Sequence, residues 1–192
     1  MKKTEIKEFF DRLAPEWDET TVRNEKAIEY ILDKGGIREG VHVLDVACGT
    51  GVLFPDYFAR KVGSLTAIDI SPEMARIASA KFPEARVICG DAEKTAFLRH
   101  FDAIMVYNAF PHFPSPDGLI SALCSHLTEG GRLTVAHGMS RKALQEHHSG
   151  SAAKVSLDLL PENELADIFA KYLQVDTVVS DDEKYVVSGI LK

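Results

Sequence analysis

The spacing of apolar residues switches between helical and strand periods along the chain. Ile6, Phe9, Phe10 and Leu13 recur at i, i+3, i+4 and i+7 and predict one face of a helix. Pro15 is expected to end it, because proline has no amide hydrogen for the helical ladder. Ala27, Ile28, Ile31 and Leu32 form a second helical face, stopped by Gly35-Gly36. Residues 41–46 are a near-continuous apolar run of strand length, as a buried parallel strand requires. Residues 65–70 read as a second strand. Ser71-Pro72-Glu73 then starts a helix with a capping hydroxyl, a proline at N1 and an acid in the first turn. Met74, Ile77, Ala78 and Phe82 are its buried face. Strands at 85–89 and 101–107 follow, then a helical face of Leu119, Ile120, Leu123 and Leu127. Gly130-Gly131 is expected to turn the chain into a fifth strand at 132–137.

From about residue 41 to 138, strand and helix patterns alternate, which predicts a parallel sheet covered by helices. The last third differs. Residues 138–160 are polar with weak helical character. Leu165, Ile168, Phe169 and Tyr172 mark a helix, and two β runs close the chain at 173–179 and 185–191. The short link between those runs favours an antiparallel hairpin, because parallel strands need a long crossover. The expected fold is α/β: a single doubly wound seven-stranded sheet, mostly parallel with an antiparallel C-terminal hairpin strand, and helices on both faces.

The chain has 192 residues, 45% hydrophobic and 27% charged, enough to bury a core without staples. Its 22 Lys and Arg against 29 Asp and Glu leave a net charge of −7, which argues against a dedicated nucleic-acid binder. Three cysteines without a CxxC pair read as reduced thiols. Cys89 and Cys124 fall on apolar faces and are expected in the core. No apolar run approaches membrane-spanning length, and the charged N-terminus leads into no signal-peptide core, so a cytoplasmic protein without membrane contact is expected.

The candidate chemistry gathers where strands end. Gly49 and Gly51, after the first strand, let the backbone bend tightly and approach a ligand. Asp69 ends the second strand, where a carboxylate can accept from both hydroxyls of a ribose. Asp91, in Gly90-Asp91-Ala92, is placed to accept from an exocyclic amine. Asp45 lies inside an apolar strand, where it is costly unless it has a polar task. A dinucleotide fingerprint would need a third glycine at position 54, which is Phe54. The loop also lacks cations, so a ligand with ribose and adenine but no pyrophosphate suits it better.

The segments 43–51 (Val-Leu-Asp-Val-Ala-Cys-Gly-Thr-Gly), 67–71 (Ala-Ile-Asp-Ile-Ser) and 90–93 (Gly-Asp-Ala-Glu), with Phe101-Asp-Ala-Ile104 and Leu127-Thr-Glu-Gly-Gly-Arg-Leu133, resemble the class I S-adenosylmethionine-dependent methyltransferases, nearest the small UbiE-like, methyltransferase-11 type. The resemblance covers residues 40–137. It implies a Rossmann-like fold and S-adenosyl-L-methionine as cofactor, with S-adenosyl-L-homocysteine as product. By position it implies Ala47, Cys48, Gly49 and Gly51 along the cofactor, Asp45 at its amino-acid end, and Asp69 on the ribose. Ile70 would lie against the adenine, with Asp91 and Ala92 at its edge. Asn108 would face the methionine moiety or the acceptor. Phe9, Phe10 and Trp17 resemble a lid helix, though plain helix packing explains them equally well. The expected organisation is one domain, 1–192, with lid helices in 1–34, a core in 40–137, an acceptor-side cap in 138–160 and a closing helix and hairpin in 161–192.

The candidate bases on the acceptor side are His112, His137 and His147, since histidine titrates near neutral pH. His148 adjoins His147 and cannot share its helical face. These histidines could also build a three-nitrogen metal site, but their spacing matches no metal motif and Arg141 and Lys142 stand nearby, so no metal is assigned. Asn108-Ala109-Phe110-Pro111 departs from the Asn/Asp-Pro-Pro-aromatic motif of DNA amino methyltransferases. The expected partner is a small-molecule acceptor methylated on O, N, S or C, with the chain a monomer or homodimer. A non-catalytic binder of the same cofactor is the alternative.

Overall fold

A computed structural model describes residues 2–148 and 154–192, without the side chains of Glu146, His147 and His148. Five strands run parallel: β1 (His42–Val46), β2 (Ser64–Asp69), β3 (Arg86–Cys89), β4 (Phe101–Tyr107) and β5 (Leu127–His137). A hairpin of β6 (Leu173–Ser180) and β7 (Tyr185–Leu191) closes the sheet, with β7 antiparallel to β5. The order is β3-β2-β1-β4-β5-β7-β6. It reverses between β1 and β4, and in open α/β sheets a crevice opens there, beyond the strands' carboxyl ends.

The helices are α1 (Lys3–Leu13), α2 (Trp17–Thr20), α3 (Glu25–Lys34), α4 (Phe54–Ala59), α5 (Pro72–Lys81), α6 (Pro116–Cys124), α7 (Arg141–His148) and α8 (Glu162–Ala170). They build a core on each face of the sheet. Ile28 and Ile31 of α3, Tyr57 of α4 and Ala78 of α5 pack with Val43 on one face. Leu123 of α6 and Phe169 of α8 pack with Leu44 and Val135 on the other. Val43 and Leu44 are neighbours pointing to opposite cores, which is why β1 reads as a continuous apolar run.

Local chemistry sets the helix starts. Asn24 Oδ1 accepts from the Ala27 N–H at 3.1 Å, and Ser71 Oγ accepts from the Met74 N–H at 3.1 Å. The first helix stops at Leu13, just before Pro15, as expected; Pro15 sits in a 3-10 turn, Ala14–Glu16, that leads into α2. Two expectations need correction. Gly130-Gly131 is not the entry to β5. The strand already pairs at Leu127 with Phe101 and resumes with Arg132 opposite Ala103, so the glycines sit in a bulge, Gly130 at φ +69°. Cys89 is exposed, because β3 is an edge strand; Cys124 is buried as expected. No helix among the described residues is long and apolar enough to cross a membrane.

Candidate active site

The loop after β1 is held from within and from β2. Ala47 (φ +54°), Gly49 (φ +56°) and Gly51 (φ +87°) all take left-handed backbone. The Cys48 N–H donates to the Ile68 carbonyl and the Gly51 N–H to the Cys48 carbonyl. Asp69 ties the loop to α5: Oδ2 accepts from the Gly49 N–H at 2.8 Å and Oδ1 from the Ser71 N–H at 2.9 Å. These bonds use two of the roughly four lone-pair directions of a carboxylate, so the group keeps capacity for ligand hydroxyls.

One cavity opens over this loop. Of the positions assigned to cofactor, Asp45, Ala47, Cys48, Gly49, Asp69, Ile70, Asp91, Ala92, Asn108 and Trp17 all line it, and His112 joins them. Two expected residues among the described side chains do not. Gly51 faces the other way: a Cβ there would lie 2.9 Å from the Phe54 ring and 3.0 Å from Phe82, so its role is close packing. His137 is fully buried at the end of β5, its ring 6.0 Å from that of Tyr185 on β7, and is not among the lining residues. The strand pairing that places Tyr185 opposite His137 closes it off. The His147 side chain lies outside the described residues.

Burial governs the acids of this cavity. It pushes Asp45 up to about 8; the Tyr57 hydroxyl pulls it down and the charge of Asp69 adds to the rise. It pushes Asp69 up to about 6, against the pull of the Ser71 and Gly49 N–H groups. The Cys48 thiol is raised for the same reason, which removes it as a nucleophile.

The N-terminal helices are fastened over the cavity by polar ties. Lys3 Nζ donates to Asp91 at 2.8 and 2.7 Å and also to Glu93. Ser71 Oγ donates to Asp11 Oδ1 at 2.6 Å. Asp18 accepts from Thr50 Oγ1 at 2.6 Å and from Lys81 Nζ at 2.5 Å. Among the described residues, no group of three His, Cys, Asp or Glu is placed to hold a metal ion.

Residues 43–131 match the family described as Methyltransferase domain. The ubiquinone biosynthesis O-methyltransferase of Xanthomonas axonopodis pv. citri is 34% identical over 100 residues, 49% of this chain and 41% of that protein. The malonyl-[acyl-carrier protein] O-methyltransferase of Priestia megaterium is 34% identical over 124 residues, 62% of this chain and 44% of its own length. The chain thus spans less than half of either relative. The crystal structure of magnesium protoporphyrin IX methyltransferase from Synechocystis PCC 6803 with bound SAH shares the fold over all of both chains, with a TM-score of 0.74 and 14% identity.

Residues 43–131 thus carry a methyltransferase domain by sequence.

The cavity fits the chemistry of S-adenosylmethionine, the cofactor that the sequence motifs imply. The glycine loop is free of cationic side chains, as a ligand without pyrophosphate allows. Carboxylates end β1 and β2, and a third follows β3. Lys3 was not legible in the sequence as a residue of this cavity. A lysine in a charged N-terminal stretch looks like a solvated one, and its partner lies 88 positions away. Tyr107 was missed for another reason: it closes an apolar strand and reads as core, yet it lines the cavity beside Asn108.

Proposed function

We propose that the protein transfers the methyl group of S-adenosylmethionine to a small-molecule acceptor. The observation that carries this reading is one cavity lined both by the acids and loop residues suited to the cofactor and by Asn108 and His112 beyond β4. Bound there, the cofactor supplies an electrophilic methyl that the acceptor takes as the sulfur–methyl bond breaks, leaving the electron pair on sulfur. Asp69 would accept from the ribose hydroxyls, and Ile70 would lie against the adenine, with Asp91 and Ala92 at its edge. Asp45 would face the amino-acid end and Asn108 the methionine moiety or the acceptor. His112 would receive the acceptor's proton when the nucleophile arrives protonated. The lid of α1 and α2 and the cap at 138–160 would exclude water and hold the acceptor in line, an effect able to supply about 7–11 kcal/mol of the barrier. Both relatives named above are O-methyltransferases, which favours oxygen as the acceptor atom.

The test is S-adenosylhomocysteine release from S-adenosylmethionine across phenols, carboxylic acids, thiols and amines. Release that depends on an acceptor supports the reading. Tight cofactor binding without release for any class would replace it with a non-catalytic binder.

A further inference from the structure

Asp45 stands at the centre of the sheet with no counter-charge. It lies on β1 opposite Ala67 of β2 and Met105 of β4, is 3% exposed, and lines the cavity. The groups around it are neutral or acidic. From α4 comes the fully buried Tyr57, whose hydroxyl acts on the carboxyl and has no other partner among the described residues. From the loop comes the Cys48 thiol, which burial keeps protonated. From β2 comes Asp69, a second acid. On the β4 side stands Tyr107, a phenol that burial pushes up to about 12. Arg23 acts on Tyr107, but its bonds go to Glu25, Asp56 and the Val52 carbonyl. No lysine, arginine or histidine is among the described groups that act on Asp45.

A carboxylate taken out of water without a cation is so costly that the group keeps its proton instead. Only the Tyr57 hydroxyl, a donor, favours the ionised form here. In the reading above, Asp45 faces the amino-acid end of the cofactor, which carries an α-ammonium. That cation would supply the counter-charge the protein itself omits, and an opposite charge within about 4–6 Å favours ionisation. The buried pair would then be one carboxylate and one ammonium, with no net charge.

Resting on that reading, we propose that cofactor binding is coupled to proton release: Asp45 is a neutral acid in the free protein and gives up its proton when the α-ammonium arrives, and Tyr57 is the positioning residue whose hydroxyl donates to the carboxylate so formed. The O–H bond of the Asp45 carboxyl breaks, its electron pair stays on the carboxylate oxygen, and the proton leaves through the cavity to solvent. A ligand with the adenosine but no amino group leaves the proton in place, so Asp45 reads the amino-acid end of the ligand.

The experiment is calorimetric titration of the full chain at pH 6.5 in buffers of different ionisation enthalpy, which counts the protons exchanged. The ligands are S-adenosylhomocysteine and 5′-methylthioadenosine, which keeps the adenosine and the thioether but lacks the amino-acid end. About one proton more should leave with S-adenosylhomocysteine, so the ratio of the two affinities should rise by up to about tenfold per pH unit below pH 7. Failure of S-adenosylhomocysteine to bind would sink the methyltransferase reading itself. Binding with equal proton numbers for the two ligands overturns the coupling and leaves that reading standing. Infrared difference spectra locate the proton. Adding S-adenosylhomocysteine should remove the carbonyl band of a protonated carboxyl from the wild type and not from Asp45→Asn. A band that persists in the wild type, or is lost from both proteins, overturns the assignment to Asp45. Tyr57→Phe keeps the ring that fills the core. It should weaken S-adenosylhomocysteine about tenfold and leave 5′-methylthioadenosine unchanged. It should also extend the rise in affinity to higher pH, because the hydroxyl that pulls Asp45 down is gone. Equal weakening of both ligands with an unmoved pH profile would overturn the positioning role.

Discussion

The Lys3 ammonium donates to both oxygens of the Asp91 carboxylate, at 2.8 and 2.7 Å. Burial works against the charged lysine, but its bonds to Asp91 and Glu93 outweigh that and raise its pKa. The first turn of α1 is thereby fastened to the residue proposed to receive the adenine amine. A ligand reaching Asp91 must share or displace this contact. Lys3→Ala should therefore speed association of S-adenosylhomocysteine several-fold in stopped-flow Trp17 fluorescence. The pair is partly exposed, so stability should fall by no more than about 1 kcal/mol. An unchanged association rate would mean that the lid does not gate entry.

The two buried acids make stability depend on pH in a fixed direction. Asp45 titrates near 8 and Asp69 near 6 in the folded protein, both above the ordinary carboxylate value of 3.8. Between the two values the folded state binds more protons than the unfolded one, so stability falls as pH rises. For Asp45 the loss begins above about pH 4 and ends near 8. Asp45→Asn, which mimics the protonated form, should flatten this part of the curve. Melting temperatures from pH 4 to 9 check it. A wild-type curve that rises over the window would contradict the burial argument.

Ala47 and Gly51 should respond oppositely to exchange. Ala47 holds φ +54°, a left-handed conformation that costs a residue with a Cβ about 1–2 kcal/mol. After the greater chain entropy of glycine, Ala47→Gly should still stabilise by about 0.5–1 kcal/mol. Gly51→Ala puts a methyl 2.9 Å from the Phe54 ring at φ +87° and should cost about 1–3 kcal/mol. Denaturant midpoints of the two variants are the measurement. A shift of both in the same direction would refute the assignment of roles.

Sequence order carried most of this fold because each strand of the centre had a pattern no helix shares. Val43 and Leu44 bury on opposite faces, so the run around them could only be a doubly covered strand. The capping set at Ser71 marked α5 to the residue. The site was half legible. Asp69 and Asp91 follow strand ends and so announce the sheet's carboxyl edge. What stayed hidden depended on distant pairing. Which glycine of the loop faces the cavity was decided by Phe54 and Phe82 packing on Gly51. His137 was buried by a strand that enters the sheet 48 residues later, at Tyr185. His112 showed nothing in its own neighbourhood of the carbonyl at Val155 that fixes its ring.

Asp69 carries the loop and, on this account, the ribose. Asp69→Asn keeps one acceptor oxygen but replaces the other with an amide that cannot accept from the Gly49 or Ser71 N–H. Thermal stability should drop by about 1–3 kcal/mol, the cost of a buried donor left unmet. A variant as stable as wild type, measured by calorimetry, would show that the loop is held by other contacts.

The central claim is that this cavity holds S-adenosylmethionine or its product. Calorimetric titration of the whole chain with S-adenosylhomocysteine, with NADH as the control, tests it most directly. The account predicts micromolar binding of S-adenosylhomocysteine alone, weakened by about 1–3 kcal/mol in Asp69→Ala. Binding of NADH with equal affinity, or S-adenosylhomocysteine affinity unchanged in a folded Asp69→Ala protein, would contradict it.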